Sequence, residues 1–84
     1  MNSVTRGLAI EYAARGIRVN AIAPGIVDTP MHEPEHHESL KHLHPIERLA
    51  TVQEIVDTAL FLVRAPFITG EVIHVDGGAH AGKW

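Results

Sequence analysis

The stretch RGIRVNAIAPGIVDTPM, residues 15–31, decides the fold. Its nearly continuous apolar run, 17–23, is typical of a strand in a parallel sheet that is covered on both faces. Pro24 cannot donate a ladder hydrogen bond, so we expect the strand to stop there. Gly25 then lets the backbone turn sharply or approach a ligand closely. The stretch therefore predicts a buried strand whose exit offers main-chain groups to a ligand.

Two helices and a second strand are predicted around this stretch. Residues 3–14 are predicted to form a helix with one apolar stripe at helical spacing, namely Val4, Leu8 and Tyr12 with Ala9 and Ala13 beside them. In the helix 51–64, Thr51 and Glu54 have the spacing of a capping box. Its broad apolar face consists of Ile55, Val56, Ala59, Leu60, Leu62 and Val63. Residues 71–75 form a strand, and the alternation of helices with strands predicts an α/β fold with a parallel sheet.

Length and composition exclude several classes of function. The chain has 84 residues, no cysteine and a net charge of −3 with histidine neutral. Disulfides and thiolate metal sites are therefore impossible, and no charge excess attracts nucleic acid or an anionic membrane. No apolar run reaches the roughly 20 residues that span a bilayer. We expect a cytoplasmic protein that binds neither nucleic acid nor membrane.

Three stretches in register resemble the short-chain dehydrogenase/reductase family. They are NSVTRGLAIEYAARGIRVNAIAPGIVDTPM, ERLATVQEIVDTALFLV and ITGEVIHVDGG, and they cover most of the chain in the family's order and spacing. The resemblance implies a Rossmann-like, doubly wound parallel sheet that binds NAD or NADP. Residues 1–84 would then be the C-terminal third of one dinucleotide-binding oxidoreductase domain.

The family resemblance implies an enzyme that interconverts an alcohol and a carbonyl by hydride transfer. In that family a Tyr-x-x-x-Lys motif transfers the proton, and a glycine-rich first turn meets the pyrophosphate. Tyr12 is the only tyrosine here, Gly16 stands where the Lys would be, and the 7 glycines form no such turn. We therefore predict that Tyr12 is a packed helical side chain and assign no catalytic residue. We expect the 84 residues alone to be inactive.

Four residues at the exit of the first strand match the family's contacts to the nicotinamide end of the cofactor. In the family, the residue matching Val27 holds the carboxamide with its main chain. The residue matching Thr29 adds a hydroxyl to the carboxamide or the pyrophosphate. The resemblance thus implies that Pro24, Gly25, Val27 and Thr29 bind the cofactor. Without it, the same residues fit an ordinary strand exit with a Pro-Gly turn.

Residues 30–50 match the family's substrate loop. Met31, Leu40 and Leu43 are candidates to line an apolar pocket for a small carbonyl or alcohol substrate. The loop also contains five of the seven histidines, His32, His36, His37, His42 and His44, beside Glu33 and Glu35. A solvated, titratable loop is the plainer interpretation, and we assign no metal ligand. A zinc or nickel site formed by these histidines is the alternative.

Other interpretations of the whole chain stay open. The 84 residues fit a truncated, non-catalytic binding or assembly module as well as part of an enzyme. The enzyme is expected to be a homo-oligomer, and Val72 and Ile73 are candidates for its interface by position, although both also fit a core. We expect His74 to be a packed or surface residue, and residues 76–78 to form a tight turn. Strand 17–23 is expected to present unpaired backbone groups along one edge. We therefore expect the isolated chain to be unstable as a monomer or to associate.

Overall fold

A computed structural model describes residues 2–29 and 40–82. Its elements are helix α1 (Asn2–Tyr12), strand β1 (Ala21–Pro24), helix α2 (Val52–Arg64), strand β2 (Val72–Val75) and two 3₁₀ turns, Ala13–Arg15 and Ala79–Ala81. The two strands pair in parallel, with Ala21 opposite Val72 and Pro24 opposite Val75. The predicted α/β fold with a parallel sheet is thereby confirmed for this part of the chain.

Both strands begin later than the predicted ranges 17–23 and 71–75. The reason is the side chain of Asn20, which takes the place of main-chain partners at the entry to the sheet. Its Nδ2 donates to the carbonyl oxygen of Ile68 at 3.1 Å, and its Oδ1 accepts the N–H of Glu71 at 3.0 Å. Because this side chain interrupts the regular ladder, strand pairing starts only after Asn20 and Glu71.

The expectation that the strand stops at Pro24 is confirmed, because Pro24 is the last residue of β1. The N–H of the next residue, Gly25, still donates to the carbonyl of Val75 at 2.9 Å. The Ala21 N–H likewise donates to Glu71 at 2.9 Å. Since alternate residues of a strand face the same neighbour, the nitrogen of Pro24 faces the edge of β1 that has no partner strand among the described residues. Proline is tolerated there and blocks further pairing.

Helix α1 buries small side chains, among them Ala9 of the predicted apolar stripe, whereas the larger members of that stripe are not buried. Thr5 and Ala9 are buried, whereas Val4 and Leu8 are exposed. Ala9 faces Gly70, where an added Cβ would lie 3.4 Å from the Ala9 Cβ. These small residues let the helix approach the chain that enters β2, which leaves the larger side chains of α1 on the surface. The helix ends in a 3₁₀ turn followed by a left-handed glycine.

Helix α2 is fixed at both ends. The Thr51 hydroxyl accepts the N–H of Glu54 at 3.1 Å, and Glu54 Oε1 accepts the N–H of Thr51 at 2.8 Å, which confirms the capping box. At the other end, the Arg18 guanidinium donates to the carbonyls of Leu62 at 2.7 Å and Val63 at 2.8 Å. These carbonyls lie in the last turn, at the negative end of the helix dipole, and the Leu62 carbonyl also accepts the N–H of Ala65 at 3.4 Å. Arg18 precedes β1, so it ties α2 to the sheet.

The predicted apolar face of α2 is only partly covered. Leu62 is buried, and Ile55 and Ala59 are half-buried. The exposed members of the face are Val56, Leu60 and Val63. Ala9 and Leu62 are the only buried hydrophobic residues among those the structure describes. Neither α1 nor α2 is long and apolar enough to cross a bilayer, and no other described segment is.

Candidate functional site

The carboxyl ends of β1 and β2 lie at one edge of the sheet. We call this edge the rim and define it as residues 25–29 after β1 and 76–78 after β2. The two exits are in close contact, because a Cβ added at Gly25 would lie 2.9 Å from the Asp76 Cα and 2.5 Å from Nε2 of His44. Only glycine fits here. The carboxyl edge is also where open parallel sheets bind their ligands.

The N–H and C=O of Val27 point away from the chain segment that pairs with the rim at Ala50. Val27 forms a parallel bridge with Ala50, in which the Ala50 N–H donates to Ile26 at 2.9 Å and the Asp28 N–H donates to Ala50 at 2.8 Å. Both bonds use the residues that flank Val27, so its own N–H and C=O face the opposite side. Within the described part of the chain these two groups make no hydrogen bond.

The four residues predicted to bind the cofactor lie on the rim or directly before it. They are Pro24, Gly25, Val27 and Thr29. Pro24 is exposed and Thr29 is half-buried. Of the predicted substrate-loop residues, Leu40 is half-buried and Leu43 is 49% exposed, while Met31 lies outside the described residues. The chain from 40 to 50 returns to the rim through the bridge between Ala50 and Val27.

His44 contacts the rim, a role that sequence reasoning missed. Its side chain is only 3% exposed; Nε2 accepts the Ile26 N–H at 3.0 Å, and Nδ1 lies 2.7 Å from the Arg48 carbonyl oxygen. A neutral imidazole with its proton on Nδ1 satisfies both partners. The expectation of a solvated loop is therefore wrong for His44, which fixes the main chain immediately before Val27. In sequence, nothing distinguishes it from the exposed His42 nearby.

The alternative of a metal site in the histidine-rich loop gains no support from the described histidines. Both nitrogens of His44 are engaged with the main chain, and Nδ1 of His42 lies 3.6 Å from Glu47 Oε1 at the surface. His32, His36 and His37, with Glu33 and Glu35, lie outside the described residues.

The exit of β2 contains a second titratable cluster. Asp76 is buried; its Oδ1 accepts the Gly78 N–H at 3.0 Å, and its Oδ2 lies 3.0 Å from Nδ1 of His80. Burial raises the pKa of Asp76, but hydrogen bonds from His80 and Gly78 outweigh burial, and the pKa lies below its ordinary value. His74 stacks on His80, with ring centroids 3.8 Å apart and planes inclined by 13°.

Comparison with known proteins shows the family of this chain. A family model described as Enoyl-(Acyl carrier protein) reductase matches residues 1–80. The chain belongs to the short-chain dehydrogenase/reductase family. The resemblance inferred from the sequence is thereby confirmed.

Relatives within the short-chain dehydrogenase/reductase family are oxidoreductases by name. The uncharacterized oxidoreductase YmfI of Bacillus subtilis (strain 168) is 48% identical over 84 residues, which cover 94% of this chain and 35% of YmfI. Glucose 1-dehydrogenase of Gluconobacter oxydans (strain 621H) is 40% identical over 85 residues, covering 93% and 32%. The solved structure of ElxO with NADP bound is similar with a TM-score of 0.89 and 34% identity, covering 96% and 36%. The chain thus spans a third of the length of these relatives.

Proposed function

We propose that this chain forms the nicotinamide side of the cofactor site in an NAD(P)-dependent oxidoreductase that interconverts an alcohol and a carbonyl. The observation that carries the proposal is that the N–H and C=O of Val27, at the carboxyl edge of β1, make no hydrogen bond within the described residues. A carboxamide offers one acceptor oxygen and one donor NH₂ group, so this main-chain pair suits it. The bound cofactor supplies the hydride chemistry, and the residues of this chain position it.

The other rim residues support the same role. Gly25 has no side chain, which brings the exit of β1 against Asp76 and His44. Thr29 adds a hydroxyl for the carboxamide or the pyrophosphate. His44 orients the peptide group that precedes Val27 through its bond to Ile26. The family relative ElxO, solved with NADP bound, is the comparison that favours a dinucleotide as the ligand.

We assign the substrate side of the site to the loop 30–50. Leu40 and Leu43 are available to cover a small carbonyl or alcohol and exclude water, and Met31 joins them by position. His44 anchors this loop to the rim. Proton transfer is not assigned to this chain, because Tyr12 is a half-buried residue of α1 whose ring lies under the Arg15 guanidinium, 5.5 Å from the ring centroid.

We also propose that the enzyme is a homo-oligomer. The C-terminal half of α2 and the segment after it expose large apolar side chains, with Phe61 at 56%, Val63 at 69% and Phe67 at 100% exposure. Large exposed apolar surfaces of this kind mark sites of protein contact. Val72 and Ile73 are half-buried, and their place in an interface stays a proposal.

The test transplants this chain into a complete relative. Residues 1–84 replace the matching region of Gluconobacter oxydans glucose 1-dehydrogenase, and NADH and NADPH binding is followed by nucleotide fluorescence. We expect the chimera to bind one of the two nucleotides. Val27→Pro removes the N–H that we assign to the carboxamide, and the loss of one such bond weakens binding about tenfold. Thr29→Val weakens binding through loss of the hydroxyl.

The control for these variants is Thr58→Val. The Thr58 hydroxyl donates to the Glu54 carbonyl within α2 at 2.9 Å, away from the rim. Circular dichroism of each variant checks that the chimera stays folded. A folded chimera whose nucleotide affinity is the same with Val27→Pro, Thr29→Val and Thr58→Val would contradict the proposed function.

A further inference from the structure

Two imidazoles and one carboxylate meet where β2 ends. They belong to His74, Asp76 and His80, and one ligand atom of each lies within 4.8 Å of the others. Asp76 Oδ2 is 3.0 Å from Nδ1 of His80 and 3.8 Å from Nδ1 of His74. We propose that these three side chains bind one divalent transition-metal ion of the zinc type. The ion would clamp the turn 76–81 against β2.

The donor set selects the class of metal. Two imidazole nitrogens and one carboxylate oxygen suit Zn²⁺, Ni²⁺, Co²⁺ or Cu²⁺, whereas Mg²⁺ and Ca²⁺ prefer oxygen donors alone. The chain has no cysteine whose thiolate would compete for such an ion. Three protein ligands leave at least one coordination position for water.

The carboxylate is held in place before any ion arrives. The Asp76 carboxylate accepts the main-chain N–H of Gly78 at 3.0 Å and of His80 at 3.3 Å. Gly77 and Gly78 have φ values of 60° and 93°, which few other residues adopt, so the turn has a defined shape. Main-chain donors that orient a ligating carboxylate are a regular feature of metal sites.

The two imidazoles are accessible and can be recruited. His74 is 36% exposed, His80 is 49% exposed, and His74 has no closer polar partner among the described residues than Asp76 at 3.8 Å. Neighbouring ligand atoms of a tetrahedral zinc, each at about 2.0–2.1 Å, lie roughly 3.3 Å apart. The present separations of 3.0 and 3.8 Å lie on either side of that value. Because the rings are stacked, binding requires His74 to turn out of the stack.

The charges around the cluster of His74, Asp76 and His80 do not, taken together, repel a cation. Arg6 and Glu71 line the depression beside His74, one of each sign. The chain as a whole has a net charge of −3. The competing arrangement is an ordinary ion pair between Asp76 and His80, which would persist without metal. The experiment must therefore separate a metal site from that ion pair and from the histidine-rich loop.

The test is a titration of the metal-free 84-residue chain with ZnCl₂, followed by calorimetry and by NMR of the histidine ring protons. We expect one ion to bind and the ring signals of His74 and His80 to move, while those of His42 stay in place. His74→Asn and His80→Asn should each weaken zinc binding roughly tenfold or more. The matched control replaces His32, His36 and His37 by Asn together and should leave zinc affinity unchanged.

Three results would overturn the proposal. The first is unchanged ring signals of His74 and His80 in the unmodified chain at a large excess of zinc, which needs no variant. The second is unchanged zinc affinity in His74→Asn and His80→Asn. The third is loss of zinc binding in the triple loop control, which would move the metal to residues 32–37.

Discussion

Glu47 is the residue whose backbone departs furthest from what its side chain prefers. Its φ is +60°, the only positive value of a non-glycine residue in the described ranges. A left-handed backbone costs such a residue about 1–2 kcal/mol, and the surface ion pair with His42 offsets little of this. We therefore expect Glu47→Gly to raise the free energy of unfolding by about 1 kcal/mol. Urea unfolding at a fixed protein concentration measures it.

The control for Glu47→Gly is Glu47→Ala, which removes the charge but keeps a Cβ in the strained conformation. It should change the free energy of unfolding by less than about 0.5 kcal/mol. If the alanine variant were stabilised as much as the glycine variant, the charge and not the backbone would be the cause.

His44 holds the rim together at the scale of one side chain. Replacing it by Ala leaves the Ile26 N–H and the Arg48 carbonyl without their partner. Each orphaned group costs about 1–3 kcal/mol when it is buried, so we expect His44→Ala to lower the free energy of unfolding by about 2–4 kcal/mol. The Ile26 amide should also exchange its hydrogen faster. The exposed His42→Ala serves as the control, and equal losses in the two variants would contradict a special role for His44.

Helix α2 depends on the guanidinium fork that closes its C-terminal end. Arg18→Lys keeps the positive charge but cannot donate to the Leu62 and Val63 carbonyls in the same geometry. We expect it to lower the free energy of unfolding by about 1–2 kcal/mol. Arg64→Lys, in the exposed last turn of the same helix, should have no measurable effect. An Arg18→Lys chain as stable as Arg64→Lys would show that charge alone suffices.

The other end of α2 makes stability depend on pH. Hydrogen bonds from the Arg48 side chain and the Thr51 N–H lower the pKa of Glu54 from 4.5 to about 2. Because the pKa is lower in the folded chain, this contribution is complete above pH 4.5 and is lost as the pH falls toward 2. The urea midpoints of the unmodified chain and of Glu54→Gln should therefore converge across that interval. A midpoint difference that stays constant down to pH 2 would contradict this assignment.

Local chemistry explains which elements could be predicted. The capping box of Thr51 and Glu54 lies within one turn of helix, so its residues reveal it directly. The entry of β1 could not be predicted in the same way, because Asn20 meets Ile68 and Glu71 only after the chain has folded. The same contrast holds for the candidate site. Val27, which lies on the rim, was singled out by its match to the family's pattern. His44 could not be, because its role comes from contact with Ile26, 18 residues away.

At the scale of the whole molecule, the described chain exposes more large apolar side chains than it buries. Ala9 and Leu62 are its only buried hydrophobic residues, and Phe67 is fully exposed. Each strand of the two-stranded sheet also has one edge without a partner in the described residues. A sheet this small cannot cover two helices, and isolated small domains are marginal even when they bury about 60% of their surface. Stability must therefore come from further contacts.

The need for further contacts leads to a prediction about the isolated chain. We expect sedimentation of residues 1–84 to show association that grows with concentration, because burial of the surface around Phe61 and Phe67 is favourable. Phe61→Ser with Phe67→Ser should shift the population toward monomer. Val4→Ser on α1, a residue of similar exposure at 62%, should not shift it if the α2 surface is the specific contact. A compact monomer that unfolds cooperatively at all concentrations would mean that the buried core described here suffices by itself.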